Sequence, residues 1–105
     1  MIKHIETVEQ FEKELQEGLK IVDFYANWCG PCRMLTPALE EYIDENPDVD
    51  LLKVNVDELG ELAARFHVMS IPLIITFIDG VKSGENLGYL PPANLNRFLN
   101  SSLRK

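Results

Sequence analysis

Asp23-Phe24-Tyr25-Ala26-Asn27-Trp28-Cys29-Gly30-Pro31-Cys32-Arg33-Met34 joins two kinds of structure in one stretch. On its N-terminal side, residues 19–26 are largely apolar and rich in β-formers, interrupted by Lys20 and Asp23, and read as a buried central strand. On its C-terminal side, Leu35, Ala38, Leu39, Tyr42 and Ile43 recur at helical spacing until Pro47 ends the stripe. Pro37 sits inside that stripe and should kink the helix. The two cysteines therefore stand where a buried strand gives way to a helix.

Working outward, residues 2–5 read as a short strand. Thr7 and Gln10 follow in capping-box spacing, Val8, Phe11 and Leu15 make an apolar helical face, and Gly18 stops it. Beyond the central helix, residues 51–56 form another strand, and Asp57 is placed to cap a helix that buries Leu59, Leu62, Ala63 and Phe66. A third apolar strand, Leu73 to Ile78, runs into Asp79-Gly80, a hairpin signal, and a last strand lies within residues 81–90. Pro91-Pro92 opens a final helix burying Leu95, Phe98, Leu99 and Leu103. The order β-α-β-α-β-α-β-β-α, without repeat or linker, predicts an α/β fold: a partly parallel sheet with helices on both faces and an antiparallel edge. At 105 residues, one domain spanning residues 1–105 with one core is expected.

Hydrophobic residues make up 46% and charged residues 26% of the chain, a globular composition. Seventeen acidic against ten basic residues give a formal charge of −7, which repels nucleic acid and anionic membrane. No apolar run approaches the roughly 20 residues of a membrane span. Lys3, Glu6 and Glu9 fall where a secretory signal would need its apolar run, so a cytoplasmic location is expected. Only two cysteines occur, both in one segment, and in a reducing compartment such a pair is more often catalytic or metal-binding than structural.

Their position favours redox chemistry. Unpaired N–H groups and the helix dipole stabilise negative charge at a helix N-terminus, so the thiolate of Cys29, the form that attacks disulfides, is favoured there. Residues at i and i+3 of a helical turn lie close enough to be bridged after small adjustment. Pro31 suits the first helical position, Gly30 leaves the backbone beside the sulfurs uncovered, and Trp28 sets a large amphipathic ring next to the nucleophile. Against a zinc site stands the lack of a second ligand pair: there are no other cysteines, and His4 and His67 are far apart. Against a purely structural bridge stands its small loop, which restrains little of the unfolded chain.

The quoted stretch resembles the active-site region of the thioredoxin family. The likeness continues through Pro37, Lys53-Val54-Asn55-Val56-Asp57, Met69-Ser70-Ile71-Pro72, Gly80 and Gly88, nearly the whole chain in register. The resemblance implies the thioredoxin fold, a central mixed five-stranded sheet flanked by four helices. It also implies a protein-disulfide reductase in which Cys29 attacks a substrate disulfide and Cys32 resolves the mixed disulfide. The pair would be returned to the dithiol by an NADPH-dependent flavoprotein thioredoxin reductase; no bound cofactor is implied, and a monomer is expected. By the same resemblance the Ile71-Pro72 bond is cis, and Trp28, Gly30, Pro31, Ile71, Pro72 and Gly88 form the substrate-contact surface.

Asp23 argues for function on its own, because a carboxylate in the run Ile21-Val22-Asp23-Phe24-Tyr25 is desolvated without obvious structural return, and burial should raise its pKa. Its family counterpart exchanges a proton with the resolving cysteine, and Lys53 matches the lysine beside it. Three positions depart from the family pattern: Tyr25 replaces a frequent tryptophan, Leu73 a threonine, and His67 a glycine where φ is positive. Both histidines read as structural or exposed. A Gly-Pro spacer resembles the reducing members of the family, whereas an oxidant, or a docking module with incidental redox activity, would be a different use of the same fold.

Overall fold

The computed structural model describes all 105 residues, Met1 to Lys105. Strands β1 (Ile2–His4), β2 (Leu19–Tyr25), β3 (Val49–Asn55), β4 (Leu73–Ile78) and β5 (Val81–Leu87) form one sheet in the order β1-β3-β2-β4-β5. β3 pairs in parallel with β1 and β2, while β2–β4 and β4–β5 are antiparallel. Helices α1 (Val8–Leu15), α2 (Gly30–Glu45), α3 (Gly60–Arg65) and α4 (Pro92–Ser102) cover it.

Alternation along the strands sorts the core into two layers. Val22 and Phe24 of β2, with Leu52, Val54, Ile75 and Phe77, meet Phe11 of α1 and Leu62 of α3. Ile21, Leu51 and Ile74 point the other way, against Leu35 and Leu39 of α2 and Leu95 and Leu99 of α4. Asp23 shares the parity of Ile21 and so faces the α2 side. Leu73 is buried in the α1–α3 layer. No helix is long and apolar enough to cross a membrane.

Several local expectations need adjustment. β2 ends at Tyr25, one residue early, and β3 begins at Val49 rather than at residue 51. Thr7 caps α1 by accepting the Gln10 N–H at 3.1 Å, but the Gln10 side chain reaches past Thr7 to the N–H of Glu6. Asp57 caps no helix: α3 starts at Gly60 with Leu59 as an N-cap that makes no side-chain bond. The turn is closed instead by the Asn55 side chain, whose oxygen accepts the Asp57 N–H at 2.9 Å. α2 remains one helix through Pro37, whose ring lies on the exposed face, so the Arg33 carbonyl it cannot serve faces the solvent side.

The hairpin is as expected, with Asp79 (φ 48°) and Gly80 (φ 84°) both left-handed, as a type I′ turn requires. Asp79 also exchanges bonds with Gly18, accepting its N–H at 2.7 Å and donating to its carbonyl at 3.0 Å, which ties the hairpin to the entrance of β2. His67 takes φ 55°, the left-handed position anticipated for it.

Candidate active site

Where β2 stops, the chain makes a short turn and enters α2, and Cys29 is the N-cap residue with extended backbone (φ −87°, ψ 109°). Gly30 takes the first helical position and Pro31 the second, one later than expected; the missing proline N–H is still among those a helix start leaves unpaired. Cys29 and Cys32 form a disulfide with their Cα atoms 5.3 Å apart, within the range a bridge permits. The Cys32 N–H donates to Sγ of Cys29 at 3.3 Å. When the bridge opens, that donor and the helix N-terminus favour charge on Cys29 Sγ. Each cysteine is only 4% exposed.

A polar row crosses three neighbouring strands on the α2 side: His4 of β1 is in register with Lys53 of β3, and Lys53 with Asp23 of β2. Asp23 is 1% exposed, and neither carboxylate oxygen has a hydrogen-bond donor. The Lys53 ammonium approaches Oδ2 to 3.3 Å as a charge partner and lies 4.6 Å from the centre of the Tyr25 ring. Burial raises the Asp23 pKa, and the attraction of Lys53, which works the other way, does not offset it. Tyr25 thus keeps an aromatic face for the lysine, and its own hydroxyl is pushed up, first by burial. A cavity of about 280 Å³ has Lys53 and Cys32 in its wall, so the partner of Asp23 and the second sulfur look into the same space.

On the other flank lies an open groove of about 400 Å³ lined by Trp28, Val56, Val68, Met69, Ser70 and Ile71. Trp28 is 70% exposed, and its indole N–H donates to the Asp57 carboxylate at 2.9 Å. Val56 and Ile71 pack against the cysteine pair. The Ile71-Pro72 bond is cis; Pro72 is buried, and its carbonyl accepts the N–H of Gly88, which has φ 97°.

Among the residues expected at the contact surface, Trp28 and Ile71 line the groove. Gly30 and Pro31 start α2, and Pro72 and Gly88 are joined by their backbone hydrogen bond; none of these four lines the groove. Sequence reasoning missed Asp57 as the anchor of Trp28, and Val56, Val68 and Met69 as groove walls. Met69, 93% exposed, carried the clearest overlooked signal: a large apolar residue directly before Ser70-Ile71-Pro72.

Residues 2–101 match the family model described as Thioredoxin. Among curated relatives, a thioredoxin of Staphylococcus haemolyticus (strain JCSC1435) is 45% identical over 98 residues, covering 92% of this chain and 94% of that protein. A thioredoxin of Staphylococcus aureus (strain Mu50 / ATCC 700699) is 42% identical over the same coverage. Among solved structures, thioredoxin from Trypanosoma brucei brucei superposes with a TM-score of 0.89 at 28% identity, covering 100% of this chain and 93% of that one. Oxidised mitochondrial thioredoxin 3 from Saccharomyces cerevisiae gives 0.83 at 32% identity, with 92% of each chain covered.

Proposed function

The chain belongs to the thioredoxin family of thiol-disulfide oxidoreductases, and we propose that it reduces protein disulfides through Cys29 and Cys32 and is recycled by an NADPH-dependent flavoprotein thioredoxin reductase. The observation that carries this reading is the Cys29–Cys32 bridge at the start of α2, with the Cys32 N–H on Cys29 Sγ and an open apolar groove alongside. Cys29 is the attacking sulfur because its thiolate has both that donor and the helix N-terminus.

In the forward cycle the Cys29 thiolate attacks one sulfur of a substrate disulfide. A mixed disulfide forms, and the first substrate thiolate leaves. Cys32 then gives up its proton, attacks Cys29 Sγ and expels the second thiolate, so two electrons pass to the substrate. Asp23, held protonatable by burial, is the base for that proton, and Lys53, which lines the same cavity as Cys32, positions it. Trp28 and Ile71 seat the extended substrate chain, with Gly30 and Pro31 at the approach to the sulfur and Pro72 and Gly88 as its backbone support. The protein acts in the cytoplasm as a monomer, where reducing conditions keep such a pair in use as a catalyst.

The test is reduction of insulin with dithiothreitol, or NADPH and a thioredoxin reductase, as electron source. The protein should accelerate it well above the uncatalysed reaction, Cys29→Ser should abolish the acceleration, and Cys32→Ser should accumulate mixed disulfides with substrate. A rate equal to the uncatalysed one, with both thiols free, overturns the reading.

A further inference from the structure

The chain has three methionines, and none of them is in the core. Met1 is 70% exposed, Met34 61% and Met69 93%. A buried methionine fills gaps between packed side chains, a use that Met69 does not have here. It stands on a ridge between two open grooves: the one it lines with Trp28, Val56, Val68 and Ile71, and a second of about 370 Å³ that it shares with Phe66, Leu73 and Leu87. Small solutes therefore reach its sulfur from both sides. Val56 and Ile71, in the first wall, pack against the cysteine pair.

Peroxides oxidise an exposed thioether to the sulfoxide, which turns a flexible apolar side chain into a polar one. In the bridged protein neither cysteine is a free thiol, so no thiolate competes with Met69 for the oxidant. The wall around Met69 can do little for the new oxygen. Its indole N–H is already donated by Trp28 to Asp57, and the Ser70 hydroxyl is the only other side-chain donor. Water solvates the rest of the sulfoxide, and a chain laid along the groove has to strip that water away.

Given the seating of substrate proposed above, on which this depends, we propose that Met69 is an oxidant-sensitive modification site. Its sulfoxidation by hydrogen peroxide or an organic hydroperoxide weakens the hold on protein substrates and leaves the exchange chemistry of Cys29 intact. A sulfur lone pair attacks one peroxide oxygen, and the S–O bond forms as the O–O bond breaks. The departing hydroxide or alkoxide takes the proton of the transferred hydroxyl and leaves as water or alcohol. Two electrons pass from the sulfur to the peroxide.

The test treats the bridged protein with hydrogen peroxide, removes the oxidant and maps sulfoxides by mass spectrometry. Met69 should be oxidised no more slowly than Met34, which is the less exposed. Insulin reduction with dithiothreitol should then show KM raised about fivefold with kcat unchanged, the pattern of lost substrate binding at the lower end of what a polar group buried without full partners costs. The rate at which the reduced protein alone reduces bis(2-hydroxyethyl) disulfide, too small to span the groove, should not change. Peroxide should leave the KM of Met69→Leu at its own untreated value, whereas Met34→Leu should respond as the parent does. An unchanged KM with Met69 sulfoxidised, a loss confined to kcat, or a response that persists in Met69→Leu overturns the proposal while the untreated protein still reduces insulin. Failure of the untreated protein to reduce insulin overturns the proposed function, and this proposal with it.

Discussion

Asp23 is held in the sheet at a cost that its surroundings do not fully offset. Its neighbours in β2 and β4 are apolar, its oxygens have no hydrogen-bond donor, and Lys53 at 3.3 Å is the one charge that compensates it. Burial outweighs that attraction, so the folded pKa lies above the ordinary 3.8. The sign for stability follows: between 3.8 and the raised value the folded chain holds a proton the unfolded chain has released, and stability falls as pH rises through that window. Asp23→Asn removes the ionisation. In oxidised protein it should match the parent near pH 4 and be the more stable of the two at pH 8, where the parent must hold a desolvated charge. Denaturant melts at the two pH values check this; equal stability at pH 8 would mean that Lys53 fully compensates the charge. The same variant should lengthen the life of mixed disulfides on Cys29, read by quenching during turnover. Asp23 was legible because an acid interrupts an apolar run. Asp57 was not, because an aspartate after a strand has the pattern of a helix cap whether its carboxylate bonds a backbone N–H or, as here, the Trp28 indole.

Elements meet closely at one place that no sequence pattern marked. A Cβ built on Gly84 of β5 would lie 2.5 Å from the Cβ of Ser102 in α4 and 3.0 Å from Thr76 Oγ1 in β4. Neither neighbour is a flexible side-chain tip. The Ser102 Cβ moves only with the helix, and Thr76 Oγ1 is bonded to Ser83 Oγ at 2.9 Å. Gly84→Ala should therefore push the end of α4 from the sheet and destabilise by about 1–3 kcal/mol, the usual range for overpacking. Ser102→Gly alone should lose about 0.5–1 kcal/mol of helix propensity, and the double variant should recover part of the Gly84→Ala loss. A double-mutant cycle by thermal or denaturant unfolding measures the coupling; strict additivity would show that the contact is not where the strain arises. Helix faces and the hairpin could be read in advance because they depend on local periodicity and turn residues such as Asp79-Gly80. The need for Gly84 depends on which helix crosses which strand, a tertiary fact. The same dependence moved element ends, as where β3 starts at Val49 because β2 supplies a partner from Leu19 onward.

At the scale of the whole molecule, alternation of strands and helices implied a partly parallel sheet with helices on both faces, while the order β1-β3-β2-β4-β5 follows from pairings that no single segment encodes. That order puts β2 at the centre and carries the Asp23-Lys53-His4 row toward an edge. The net charge of −7 acts over the same dimensions. The molecule measures 30 × 30 × 20 Å, and the Debye length is about 30 Å at 0.01 M salt but about 8 Å at 0.15 M. At the lower salt an approaching protein senses most of the seven excess charges at once; at the higher it senses mainly those around the groove, whose wall of Trp28, Val56, Val68, Met69, Ser70 and Ile71 carries none. Catalytic efficiency toward a strongly basic disulfide protein should therefore fall severalfold between these two conditions, and that toward a strongly acidic one should rise, because steering is lost in the first case and repulsion in the second. At 0.15 M the two should converge on a rate set by apolar contact in the groove and by exchange at Cys29. Efficiencies measured for both substrates across the salt range decide the matter: parallel curves would mean that recognition is local at every ionic strength, and that the acidic surface has no part in selecting partners.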